Sequence, residues 1–306
     1  PHSIHALMGE NGAGKTTLMN AISGFEPGFS GKVYCNGADM IKNFQRIKSV
    51  IGFVPQQDII YENLTLERML EYSSRLRMPK DTDTVERKKR IKEVLKMVDL
   101  EGQKNTLIRK LSGGQKKRAS IAVELLADPK LFFLDEPTSG LDPGTEKNLM
   151  ISLKTLARQH GKTIIMVTHT TANLHLCDKI LFMGPGGKLC FCGNVKEAKK
   201  FYQTEDLVDI YNMVSQNTEF WEKRYSAYAK NSPPVKENKD SYEKDKKLKK
   251  ESAFSQFFVL IERYAELLLH DKPRLMILFL QPGLIAVLLY IVADDKIFQI
   301  YESTKS

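Results

Sequence analysis

Apolar residues fall along this chain in short runs, separated by longer stretches of helical spacing. Ser3 to Met8 is one such run, and it leads through a glycine-rich loop into a helix-like segment, Lys15 to Ser23. Further runs recur at Val50 to Val54, Leu131 to Leu134, Thr163 to Val167 and Ile180 to Met183. Short apolar runs bounded by turn-forming sequence read as buried strands. Their alternation with helices predicts an α/β fold on a parallel or mixed sheet. Between Tyr61 and Lys110 the spacing turns helical with charged faces, at Thr65 to Arg77 and Thr82 to Val98, which predicts a helical subdomain inserted at about residues 60–115. Pro185, Gly186 and Gly187 separate two β-prone runs and predict a hairpin turn, followed by a helix at Val195 to Phe201. The globular unit is expected to cover residues 1–229.

The pattern changes at Lys230. Residues 230–252 are polar and lysine-rich, with too little apolar surface to fold alone, and predict a flexible basic linker. Beyond them Phe254, Phe257, Phe258, Ile261, Tyr264, Ala265 and Leu268 recur at helical spacing, with Gln256, Glu262, Arg263 and Glu266 between. This predicts an amphipathic connecting helix at residues 253–272, lying on a membrane surface. Leu275 to Ala293 carries no formal charge. At ~1.5 Å per residue it matches the ~30 Å hydrocarbon core, so a first transmembrane helix is expected at residues 273–293. Gln281, Pro282 and Gly283 interrupt the run and leave open a buried helix of a soluble domain, although membrane helices tolerate such residues. Lys272, Arg274 and the basic linker place the N-terminal side in the cytoplasm and residues 294–306 outside it. The expected location is the cell membrane, with the globular unit on the cytoplasmic side.

Composition makes the membrane signal local: 42% apolar and 27% charged over 306 residues is ordinary for a folded, water-soluble domain. A net charge of +9 raises nucleic acid as a partner, but the basic residues concentrate in the linker and just before the apolar run. That placement favours an anionic membrane surface, and no nucleic-acid partner is expected. Cys35, Cys177, Cys190 and Cys192 form no CxxC pair and follow no signal peptide, which suits a reduced, cytosolic setting. Cys190 and Cys192 read as strand residues, because a structural zinc site needs four convergent ligands. The chain begins at Pro1 without a methionine, a few residues before its first phosphate motif, and its N-terminus is expected to be truncated.

Gly9, Glu10, Asn11, Gly12, Ala13, Gly14, Lys15 and Thr16 fit GxxxxGK[ST]. In that motif backbone N–H groups and a helix N-terminus cradle phosphates. Lys15 would neutralise the β and γ phosphates, and the Thr16 hydroxyl would bind Mg²⁺. A phosphate loop by itself names a ligand and leaves function open. A second motif, Leu111, Ser112, Gly113, Gly114 and Gln115, precedes a helix expected from Lys116 to Ala127. The strand Leu131 to Leu134 then ends in Asp135 and Glu136, where the first carboxylate suits Mg²⁺ and the second can align an attacking water as general base. Ser139, Gly140, Leu141 and Asp142 follow.

In this order the residues resemble the ABC ATPase family, with Walker A at Gly9 to Thr16, the signature at Leu111 to Gln115 and Walker B at Leu131 to Asp135. The resemblance covers nearly the whole chain and implies a P-loop cassette that binds and hydrolyses ATP with Mg²⁺. It implies that Gln56, in VPQQD, is the glutamine that senses Mg²⁺ and the γ-phosphate, and that His169 is the switch histidine. Thr17, Gly113, Gln115 and Asp142 join the expected nucleotide-binding residues. It further implies a head-to-tail dimer, in which Ser112 and Gly114 of one subunit close over the ATP held by Lys15 of the other. A homodimer is the default, and a heterodimer is equally compatible with the residues. The aromatic that stacks on adenine would lie upstream of Pro1.

Cassette, basic linker, amphipathic helix and first membrane span, in that order, resemble the White or ABCG-type half-transporters. ELLADPKLFFLDEPTSGLDPGTEKNLM looks like bacterial members of that group, and Gln115, where many eukaryotic members carry glutamate, argues against a eukaryotic sterol or drug pump. The implied function is ATP-driven export. Alternatives are a soluble ABC ATPase acting on ribosomes or DNA, which the apolar run opposes, and a regulatory cassette with a dead site, which Lys15, Asp135, Glu136 and His169 oppose. Importer ATPases lack a fused span.

Overall fold

A computed structural model describes residues 2–26, 28–230 and 253–292. The expected linker, apart from Lys230, and the segment 294–306 lie outside the described residues.

Six strands form the central sheet in the order β4 (Ile51–Val54), β5 (Leu131–Asp135), β6 (Thr163–Val167), β1 (Ile4–Met8), β7 (Lys179–Gly184) and β8 (Lys188–Gly193). All neighbours are parallel except β7 and β8, which pair antiparallel across the Pro185–Gly187 turn. The sheet is therefore mixed. Alternate residues of the parallel strands serve two cores, as a period of two requires. Ile4, Ala6, Phe132, Leu134, Ile164 and Met166 enter one, while Leu7, Phe133 and Val167 enter the other. A strand buried on both faces reads in sequence as an unbroken apolar run.

The first core is covered by α5 (Gly113–Leu125) and α6 (Pro143–Gln159), through Ala119, Ala122 and Leu125 on one and Leu149, Leu153 and Leu156 on the other. The second is covered by α1 (Lys15–Ser23), through Met19 with Leu18 and Ile22 beside it. The insertion between β4 and β5 holds α3 (Leu66–Arg77) and α4 (Thr84–Met97). Thr65 and Asp83 cap them by accepting from Arg68 N and Glu86 N. These caps set each start two residues or fewer from the expected position.

Three local differences have physical causes. Helix α5 begins at Gly113, not Lys116, because a reciprocal cap starts it earlier: Ser112 Oγ accepts from Gln115 N at 3.3 Å and Gln115 Oε1 accepts from Ser112 N at 2.9 Å. A small hairpin, β2 (Tyr34–Cys35) and β3 (Ala38–Asp39), and the one-turn helix α2 (Phe44–Ile47) escape the apolar pattern because elements of two to four residues carry no period. The hairpin turns on Asn36 and Gly37, both at positive φ. After α7 (Val195–Tyr202), helices α8 (Leu207–Gln216) and α9 (Thr218–Ala229) pack Ile210, Val214 and Trp221 onto the first core.

Helix α10 (Ala253–His270) packs against α3, and through charge rather than through its phenylalanines. Arg68 Nε donates to Glu266 Oε1 at 3.0 Å, Tyr72 Oη donates to the same carboxylate, and Arg75 Nη1 donates to Glu262 Oε2 at 2.7 Å. The Arg263 guanidinium lies 4.2 Å from the Tyr61 ring centre. Val259 is the one apolar side chain of α10 that is fully buried, beside Leu64 and Tyr72. Phe254, Phe257, Phe258 and Tyr264 stay more than half exposed. The charged residues opposite the apolar stripe thus make the attachment and leave the stripe outward. Helix α11 (Lys272–Val292) follows, with a mean hydropathy of 2.5 and none of that window buried. Pro282 lies within it without ending it.

Candidate functional site

Four adjacent parallel strands deliver their C-terminal ends to one edge of the sheet, the edge where open α/β folds bind ligands. Gly9 follows β1, Asp135 ends β5 with Glu136 next, His169 lies two residues past β6, and Gln56 lies two residues past β4. Register holds these ends level: Val54 pairs with Leu134, Asp135 with Val167, and Leu7 with Val167. Glu10, Asn11, Gln56, Glu136, His169 and Tyr211 line a cleft of about 630 Å³ there.

The loop between β1 and α1 is shaped by close approach. A Cβ on Gly9 would lie 2.3 Å from the Met183 carbonyl oxygen, so only glycine fits. Gly12 and Gly14 sit at φ near +84°, the left-handed region that glycine enters freely. Gly14 caps α1 without a side-chain acceptor, which leaves the first-turn N–H groups and the helix dipole facing the loop. Lys15 is buried at 6% exposure, and its Nζ donates to the carbonyls of Gly9 and Glu10, both at 2.8 Å. Burial pushes its ammonium below the ordinary lysine range, against the opposing pull of Glu136 and Asp135. Ala13 is buried, whereas Asn11, Gly12, Thr16 and Thr17 are exposed along the loop and first turn.

Thr16 Oγ1 lies 3.4 Å from each carboxylate oxygen of Asp135. Burial and then the neighbouring Glu136 charge push the Asp135 carboxyl up from its usual range. Glu136 has φ of 44°, an uncommon conformation for a residue with a Cβ, and is held there by donation from its own N–H to Val167 O at 3.1 Å. Its two oxygens face different partners: Gln56 Nε2 donates to Oε2 at 3.0 Å, and His169 Nδ1 is 3.7 Å from Oε1. A hydroxyl and a carboxylate side by side, both hard oxygen donors, are the chemistry a magnesium ion takes from protein when phosphates supply further oxygens. No group of three His, Cys, Asp or Glu side chains suited to a metal occurs among the described residues.

The remaining site residues of the sequence reading lie elsewhere. Among the described residues no hydrogen bond joins Ser112, Gly113, Gly114, Gln115 or Asp142 to the Gly9–Thr16 loop. Ser112 and Gln115 cap α5, and Asp142 caps α6 by accepting from Gly144 N at 3.1 Å and Thr145 N at 3.0 Å. Two residues of the site were not legible in sequence. Tyr211, on α8, reaches the cleft from a distant part of the chain. Lys117, on α5, is buried and donates to Gln56 O at 2.5 Å, with Asp58 Oδ1 at 3.2 Å. In KKR it looks like one more solvated helix cation, and only packing shows that it holds the Gln56 loop.

A phosphate loop on the central strand, an acidic pair on its second neighbour and an inserted helical subdomain define a P-loop ATP-binding cassette. Residues 1–139 match the ABC transporter family profile. The chain is 34% identical over 295 residues to an ABC transporter ATP-binding/permease protein of Mycobacterium tuberculosis, covering 96% of this chain and 34% of that protein. It is 35% identical to ABC transporter G family member 28 of Arabidopsis thaliana, over 68% of this chain and 19% of the relative. Against the rat broad substrate specificity transporter ABCG2 it is 35% identical, over 65% and 31%. Similarity thus extends to plant and animal proteins as well as bacterial ones. A solved structure of cbiO1 from Clostridium perfringens, part of the ABC transporter complex cbiONQ, superposes with a TM-score of 0.60 at 27% identity, covering 74% of this chain and 88% of that one. The chain belongs to the ABC transporter family, whose cassettes hydrolyse ATP, and its curated relatives include G-family members. It spans about a third or less of the length of these relatives.

Proposed function

We propose that the chain is the ATP-hydrolysing part of a G-type ABC exporter, working as a head-to-tail dimer at the cytoplasmic face of a membrane. The observation that carries this reading is the convergence of Gly9–Thr16, Gln56, Asp135, Glu136 and His169 at one sheet edge. The backbone N–H groups of Gly12 to Thr16 and the α1 dipole bind the phosphates, and Lys15 exchanges its two carbonyl partners for phosphate oxygens. Thr16 and Asp135 are the residues that would hold Mg²⁺, with Gln56 at the edge of the same cleft. Bound there, the ion would neutralise charge on the phosphates. Glu136 aligns a water and accepts its proton as the water oxygen bonds to the γ-phosphorus and the bond to the ADP oxygen breaks. Gln56 and His169 hold the Glu136 carboxylate from opposite sides.

Ser112, Gly113, Gly114, Gln115 and Asp142 act on the ATP of the partner subunit, in keeping with the lack of any hydrogen bond between them and the chain's own loop among the described residues. The partner is a second ABC subunit, by default a second copy. Force leaves the site through the Gln56 loop and α3, crosses the Arg68–Glu266 contact to α10 and reaches α11. At 21 residues α11 is about 30 Å long, enough to cross a bilayer. The outward apolar stripe of α10 suits the membrane surface beside it.

The test is ATP hydrolysis by the membrane-reconstituted protein beside a Glu136→Gln variant, with sedimentation of each in ATP. Loss of turnover with an ATP-stabilised dimer in the variant supports the reading. Turnover that survives in the variant removes Glu136 as the base.

A further inference from the structure

Helix α6 touches three parts of the molecule within its first turn. At its start Asp142 caps the helix. Thr145 packs against the signature segment so closely that a Cβ on Gly114 would lie 2.2 Å from Thr145 Cγ2. One turn beyond Asp142, Glu146 points the other way, into the interior. It is 7% exposed and has no ion pair among the described residues. A single oxygen, Oε1, accepts from Thr170 Oγ1 and from Asn173 Nδ2, both at 2.9 Å. Thr170 is in turn tied to Thr168, through its N–H and its hydroxyl, both at 3.2 Å from Thr168 Oγ1. His169 sits between these two threonines and 3.7 Å from Glu136.

We infer that Glu146 is a positioning residue: it clamps the loop that carries His169 to the helix end that carries Asp142 and abuts Gly114. This deepens the proposed function and rests on it. A buried carboxylate without a cation is costly unless its acceptors are used. Here one oxygen takes two side-chain donors from the loop that follows β6. The consequence follows from which site each end serves. Gly114 and Asp142 face the partner's nucleotide in the proposed dimer, while His169 faces the chain's own. A shift of the α6 start on dimer closure is therefore delivered through Glu146 to the His169 loop. The two ATP sites are linked inside one subunit.

The bonding pattern gives an unusual control. Because both donors meet Oε1, a glutamine amide oxygen can replace it, whereas leucine removes both hydrogen bonds. The experiment compares steady-state ATP hydrolysis by the reconstituted protein with that of Glu146→Leu, Glu146→Gln, Thr170→Val, and the Glu146→Leu/Thr170→Val double variant, with Glu136→Gln as reference. Thermal unfolding and binding of a fluorescent ATP analogue are recorded for each. Expected are a kcat roughly 10- to 100-fold lower in Glu146→Leu, with KM within about twofold, a lower Hill coefficient for ATP, and at least about half of wild-type kcat in Glu146→Gln. The double variant should lose no more than Glu146→Leu alone.

A Glu146→Leu kcat equal to wild type, beside an inactive Glu136→Gln, overturns the inference and leaves the proposed function standing. So does a loss that follows thermal stability and analogue binding in parallel, or one that glutamine fails to restore. Turnover persisting in Glu136→Gln defeats the assigned base instead, and the Glu146 comparison still decides the clamp.

Discussion

Gln56 and Glu136, 80 positions apart in the chain, are joined by a 3.0 Å hydrogen bond from Nε2 to Oε2. The bond crosses from the end of β4 to the end of β5 and is possible because Val54 pairs with Leu134. Behind it Lys117 fixes the Gln56 backbone from α5. The carboxylate proposed as base is therefore aimed by a loop that is itself anchored to the helix of the signature segment.

Replacing Gln56 by alanine should leave nucleotide binding nearly intact and lower turnover on the order of 10²-fold, the scale of a misplaced reacting group. Steady-state ATP hydrolysis and equilibrium binding of a fluorescent ATP analogue separate the two effects. Equal losses in both would contradict an aiming role.

Replacing Gly9 by alanine should abolish ATP binding and lower stability by about 1–3 kcal/mol, since the new methyl would meet the Met183 carbonyl at 2.3 Å. Isothermal titration with ATP and thermal unfolding test this. Wild-type affinity would mean that the loop relaxes without cost.

Acidification should weaken magnesium-dependent nucleotide binding earlier than an ordinary aspartate would dictate. Asp135 titrates above its usual 3.8 because burial and Glu136 disfavour its charge, so it takes up a proton at a higher pH and ceases to offer an anionic ligand. The magnesium-dependent part of analogue binding, followed from neutral pH downward, should fall as the pH drops through that raised value. Asp135→Asn should remove this dependence.

Cutting the Arg68–Glu266 contact should loosen α10 while the cassette stays folded. The pair is partly exposed, so a double-mutant cycle with Arg68→Ala and Glu266→Ala is expected to give about 1 kcal/mol or less. Hydrogen–deuterium exchange at the amides around Val259 to Leu267 should rise in either single variant. Arg68 holds the Glu266 carboxyl below its usual range, so the contact is present above the ordinary glutamate pKa of 4.5 and is lost as pH falls through the depressed value. Unchanged exchange would shift the attachment of α10 onto Val259, the Arg75–Glu262 pair and the Arg263–Tyr61 contact.

Strand positions were readable because residues buried on both sheet faces must all be apolar, and Thr163–Val167 was read to the residue. The same holds for the phosphate loop, whose glycines are demanded locally by backbone geometry. Chemistry that needs fixed residue types at fixed spacing leaves its mark in one dimension. The length and high mean hydropathy of α11 belong to this class too.

Neighbourhood is different. The order of strands in the sheet, which sets Gln56 beside Glu136 and Glu136 beside His169, depends on pairing between segments about 80 and about 30 residues apart, and no local pattern carries it. Lys117 and Glu146 are charged residues on helices and yet are buried, one on a loop carbonyl and the other on two side-chain donors, which no local pattern indicates. Glu262 and Glu266 looked like the solvent side of α10 and instead bind Arg75 and Arg68. Periodicity records whether a residue is polar. Whether a polar residue meets water or a partner is decided by what the fold brings against it, and desolvation makes that difference the main source of its function.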